Sequence, residues 1–147
     1  MGRLTALILV LALLVTACGD DSGDSSSDGG GDSASEVTFD DLVGKTFEST
    51  SVTGYELVPD SVVTLEFIDG RISANAGCNT QNGDADVVDG ALEVGDLAST
   101  MMACEDPLMT QEQWLGGFLE DGPDVALEGE TLTLTSGDVV MELTEQT

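Results

Sequence analysis

The chain has no histidine and a single lysine, and only three positively charged side chains stand against 29 acidic ones. Without imidazole there is no Ser-His-Asp or Cys-His nucleophile, no histidine acid–base chemistry and no His-ligated zinc. Carboxylate pairs remain as acid–base candidates, but the acids are spread so evenly that no pair stands out. A Gly-rich phosphate loop and a dinucleotide fingerprint are also missing. We therefore assign no catalytic residue, no metal and no cofactor. The formal net charge of −26 repels phosphate backbones and anionic headgroups, which excludes nucleic acid as a partner. Solubility or adaptation to salt is a simpler account of that acidity than a dedicated acidic binding face.

What is present begins with a leader. Arg3 and the amino terminus are followed by an apolar run from Leu4 to Val15. It is too short for a membrane-spanning helix but suits a secretory signal. Thr16 and Ala17 precede Cys18, an arrangement that resembles the bacterial lipobox, in which cleavage leaves a lipid-modified cysteine as the new amino terminus. Residues 1–17 are thus expected to be a lipoprotein signal peptide and Cys18 the lipidation site. The protein is then exported and anchored by lipid to the outer face of a bacterial membrane. The membrane contact is through that lipid, since no basic patch assists it. Residues 18–35 contain no aromatic or branched aliphatic side chain and five Asp, so they are expected to form a disordered acidic tether. Their Asp spacing fits no twelve-residue calcium loop.

Residues 36–147 are long enough for one domain with one core. If Cys18 carries lipid, Cys78 and Cys104 remain as an even pair in an oxidising compartment and are expected to form a disulfide, with two buried free thiols as the alternative. Hydrophobic alternation with period two marks several strands. Val63, Leu65 and Phe67 share one face, as do Leu132 and Leu134, and Val139, Met141 and Leu143. Asp69-Gly70 and Asp89-Gly90 read as two-residue hairpins with positive φ at both central residues. One helix interrupts this meander, with Asp106 as N-cap, Pro107 in its first turn and Asp121-Gly122-Pro123 as its stop. Leu108, Leu115, Phe118 and Leu119 form its apolar face, Glu112 suits its positive end, and Gly116-Gly117 weaken it. Trp114 is expected to pack at the barrel mouth. The fold class is mainly β: a small antiparallel barrel-like meander with one α-helix, closed or nearly closed so that its sheet edges are covered.

Three segments together resemble the META/HslJ domain family. Leu42-Val43-Gly44-Lys45-Thr46-Phe47 is similar to its opening strand, with Phe47 where Trp is usual. Gly77-Cys78-Asn79-Thr80-Gln81-Asn82-Gly83 resembles its G-C-N loop. Thr100-Met101-Met102-Ala103-Cys104 resembles its T-x-M-A-C segment, with Met109 and Glu112 following on the helix. The resemblance covers about Phe39 to Leu143 and implies a compact barrel with one helix and a place among bacterial envelope lipoproteins and heat-shock-associated proteins. In the motif loop, Gly77 and Gly83 are expected to supply positive φ, and Asn79 to hydrogen-bond its own backbone. The resulting expectation is a non-enzymatic envelope protein serving stress tolerance or binding an envelope protein partner. The alternative is a lipocalin-like carrier with a small apolar ligand inside the barrel.

Overall fold

The computed structural model describes residues 36–147. The expected signal peptide (residues 1–17), the tether (18–35) and Cys18 lie outside the described residues. A turn of 3-10 helix at Phe39–Asp41 opens the domain, held by Thr38, whose backbone N–H donates to the Asp41 carboxylate at 2.9 Å. The strands are β1 (Thr46–Thr53), β2 (Thr64–Ile68), β3 (Arg71–Asn75), β4 (Thr80–Val88), β5 (Ala91–Val94) and β6 (Ala98–Ser99). Helix α1 (Asp106–Glu120) follows, then β7 (Asp124–Glu128), β8 (Thr131–Ser136) and β9 (Val139–Gln146).

All pairings are antiparallel, and they close a ring of eight strands: β1, β2, β3, β4, β5, β7, β8, β9 and back to β1. Alternation dictates what the ring encloses. Phe47, Leu65, Phe67, Leu132, Leu134, Met141 and Leu143 point inward and have no accessible surface. A cavity wide enough for water would leave accessible area on the side chains lining it, so these residues fill the interior. Phe47 lies edge-on to Phe67 with ring centroids 5.9 Å apart. Leu115, Phe118 and Leu119 of α1 complete the same core. Trp114 stacks on Tyr55 at 3.8 Å, a contact within the chain.

The narrowest joint of the ring is β5–β7, where only Ala91 and Asp124 are paired. Two flanking hydrogen bonds support it, Leu92 N–H to Pro123 O and Val125 N–H to Gly90 O. Strand β6 lies outside the ring. It continues on the edge of β4 that β5 occupies farther along, with Ser99 opposite Gln81 and Ala98 opposite Asn82.

The structure corrects several local expectations. Strand β4 starts at Thr80, and its first inward positions, Gln81 and Gly83, carry no apolar signal. Gly83 is therefore a strand residue with no positive φ. The chain linking β5 to β6 crosses directly over it, and a Cβ there would stand 3.0 Å from the Leu97 side chain and 3.1 Å from Asp96 O. Asp89-Gly90 has positive φ at both residues, as its sequence requires. At Asp69-Gly70 only Gly70 does, so that hairpin uses a different turn. Helix α1 begins at Asp106 itself, with Glu105 in the cap position, leaving the Asp106 carboxylate in the first turn where the helix dipole favours it. Its buried face continues through Gln111 and Glu112, both polar, while Leu108 is only half-buried.

Two glycines separate backbone conformation from packing. Gly54 has φ +85° and an ideal Cβ 2.5 Å from Asp138 O; Gly129 has φ +61° and open space around it. Gly129→Ala is expected to destabilise by about 1–2 kcal/mol, the left-handed penalty alone. Gly54→Ala adds a backbone collision and should lose more than about 3 kcal/mol. Urea unfolding of the two variants checks this, and equal losses would show that the Asp138 contact does not matter.

Candidate functional site

The motif residues converge where α1 meets the start of β4. Asn75, at the end of β3, shapes the loop: its Oδ1 accepts the Gly77 N–H at 2.7 Å and its Nδ2 donates to Asn79 O at 2.9 Å. Gly77 takes φ +101° as expected, and a Cβ there would press on Leu108 at 3.1 Å. Cys78 and Cys104 stand with Cα atoms 6.1 Å apart, within disulfide range.

Asn79 does not bond its own backbone. Its side chain is buried and reaches across to other elements. Oδ1 accepts the Met102 N–H at 2.7 Å and the Thr100 hydroxyl at 2.8 Å. Nδ2 donates to Met102 O at 3.3 Å and to the Glu112 carboxylate at 2.8 Å. An amide N–H can only donate and a carboxylate can only accept, so these partners fix the orientation of the Asn79 amide. Towards residue 102 the side chain acts as one rung of a β-ladder.

Glu112 is thus part of a buried network and does not serve the helix end. Its other oxygen accepts the Ser99 hydroxyl at 2.6 Å. Burial raises the proton affinity of this carboxyl. The hydrogen bonds from Ser99 and Asn79 together outweigh that and hold its pKa below the ordinary value of 4.5. Beside it, Gln81 Nε2 donates to Glu112 O at 3.0 Å, while Gln81 Oε1 is buried without a partner among the described residues. Gly116 gives Gln81 its room, since a Cβ at 116 would lie 3.3 Å from both ends of the amide. That glycine is a packing requirement as well as a helix weakener. Farther along α1, Gln111 is fully buried. It donates to Ala76 O and to Ser61 Oγ at 2.8 Å each and accepts the Val58 N–H at 2.6 Å, which ties the β1–β2 connection to the helix.

Above Glu112 opens a groove of about 400 Å³ walled by Met102, Ala103, Met109 and Thr100. Met101 is 98% exposed and Met102 56% exposed. A larger groove of about 620 Å³, between β1 and the connection to β2, has the exposed Glu56 as its only acid. Among the described residues no cluster of three His, Cys, Asp or Glu is placed to hold a metal. Sequence reading missed Asn75, Ser99 and Gln111. Asn75 had a local signal, an Asn two residues before a glycine; Ser99 and Gln111 had none, as their partners are distant in sequence.

The family model described as the META domain matches residues 40–147. No curated protein matches the chain. One protein structure solved by NMR is similar at 25% identity and a TM-score of 0.61, over 74% of this chain and 94% of that one. A second NMR structure, of a protein from Burkholderia xenovorans, is similar in fold at 19% identity and a TM-score of 0.62, over 90% of this chain and 99% of that one.

Removing the Asn79 amide strands both Met102 and an ionised carboxylate, so Asn79→Ala should destabilise by about 3 kcal/mol, read as the shift in urea midpoint. Because the folded pKa of Glu112 is lowered, its stabilisation is complete above 4.5 and is lost as pH falls through the lower folded value. The stability difference between wild type and Glu112→Gln should therefore be constant at neutral pH and shrink below 4.5; a difference independent of pH would contradict the network. A bond between Cys78 and Cys104, 26 positions apart, is expected to contribute about 3 kcal/mol. Reduction should then lower Tm by more than about ten degrees, and an unchanged Tm would mean unlinked thiols.

Proposed function

The chain belongs to the META domain family, and from that premise we propose that it is a non-enzymatic cell-envelope protein, tethered by lipid on Cys18, that binds a protein partner on the outside of its barrel. The observation that carries the binding mode is the filled interior. Leu65, Phe67, Leu132, Leu134 and Met141 have no accessible surface, which leaves the outer surface for contact. The same observation disfavours the small-ligand carrier. The carboxyls of Asp41 and Glu112 are both held below the ordinary range by hydrogen bonds, Asp41 chiefly by the Thr38 hydroxyl. Downward shifts suit structural anions better than a general acid near neutral pH. Export and anchoring rest on the apolar run, Thr16, Ala17 and Cys18. A role in envelope stress tolerance is what the family resemblance adds.

Intact-mass analysis of membrane-extracted protein tests the anchor. The expected species begins at Cys18 and carries diacylglycerol, and Cys18→Ser should leave the membrane fraction. A soluble wild-type form, cut elsewhere and retaining a free Cys18 thiol, would overturn it.

A further inference from the structure

The groove over Glu112 combines three features that no single structural role accounts for. At its base is an ionised carboxylate, 7% exposed, whose two oxygens each accept one hydrogen bond and retain a further lone pair. Its hydrogen bonds keep it anionic, and a cation placed at the free lone pairs would add a charge-assisted bond. Among the described residues no cation faces it: Lys45 and Arg71 lie 3.4 Å from Glu145 and 3.8 Å from Asp84. The wall is the second feature. Met101 and Met102 present thioethers to solvent at 98% and 56% exposure on a backbone pinned by Asn79. Flexible, polarizable thioethers fit side chains of varied shape. Third, among the described residues Ala98 and Ser99 of β6 pair only with β4, which leaves the other edge of this exposed strand unpaired beside the groove.

We propose that this groove docks an extended basic segment of a partner protein, resting on the protein-binding reading above and naming the chemistry of its partner. A Lys or Arg side chain lays its methylene stem along Met101 and Met102 and brings its charged head to Glu112, while the partner's backbone runs along the free edge of β6. The edge favours a polypeptide over a small free amine, which has no backbone to pair. The net charge of −26 steers such a segment towards the domain, and the groove gives it a place to seat.

The probe is a fluorescently labelled decapeptide of alternating Lys and Leu, with an oligolysine of equal charge as its control. Anisotropy is measured on the full chain in detergent at about 0.15 M salt, where the general field is screened. The expected result is saturable binding weakened about tenfold by Glu112→Gln and by the Met101→Ser, Met102→Ser pair, but less than about twofold by Glu93→Gln, an exposed acid of β5 that does not line the groove. Both methionines are exposed, so their replacement leaves the core intact and keeps the test decisive should Glu112→Gln unfold. Equal weakening by Glu112→Gln and Glu93→Gln, equal binding of oligolysine, or no binding of the mixed peptide would each overturn the proposal. Replacing Met101 by a photoreactive analogue in cells separates the two readings. Crosslinks to proteins without peptide binding would sink the basic segment and spare the protein-binding reading; failure of both would remove both.

Discussion

One primary amide, that of Asn79, joins three parts of this protein, the loop before β4, the segment from Thr100 to Met102 and helix α1. It bonds Met102 in the manner of a neighbouring strand, fixes the Thr100 hydroxyl and anchors the carboxylate of Glu112 on the helix. All four hydrogen-bonding positions of the amide are used, so it can neither rotate nor be replaced by an isostere of different polarity without leaving a buried group unpaired. The two-residue β6, the segment leading into α1 and the charge state of Glu112 all depend on that orientation.

The barrel and its helix cohere by different physics. The ring is held by apolar burial: alternate inward side chains meet with no accessible surface, and closure pairs strand edges that would otherwise invite association. The helix joins through an apolar half, Leu115, Phe118 and Leu119, and a polar half, in which Gln111, Glu112 and the facing Gln81 and Asn79 form directional bonds. The apolar half supplies affinity for the barrel end. The polar half fixes where along that end each helical turn sits, because amides and carboxylates tolerate little displacement.

This division also explains which parts were legible in the sequence. Strands β2, β8 and β9 announce themselves by alternation, β5 by the Asp89-Gly90 turn before it, and the helix by its Pro start and Gly-Pro stop. The barrel itself follows from many short strands that need their edges covered. The start of β4 was hidden because Gln81 and Gly83 occupy inward positions that hydrophobicity would ordinarily mark. The site was legible as a set of residues, since Asn79, Met102, Cys104 and Glu112 all fall in recognisable segments. Its wiring was not. The partners of Asn79 lie 23 and 33 residues away, beyond any local rule about turns or caps, and its local role belongs instead to Asn75.

The pairing of β1 with β9 has a consequence for the order of events during synthesis. The first strand of the ring finds its full partner only in the last one, with Thr46 opposite Gln146. A chain emerging at about 5–20 residues per second therefore carries β1 with one open edge until nearly all of the domain has been made. Cys78 and Cys104 both precede β7, so oxidation can staple the loop while the ring is still open, ahead of its completion. The Asn79 corner can thus assemble first, leaving the final strands to zip the remaining gap.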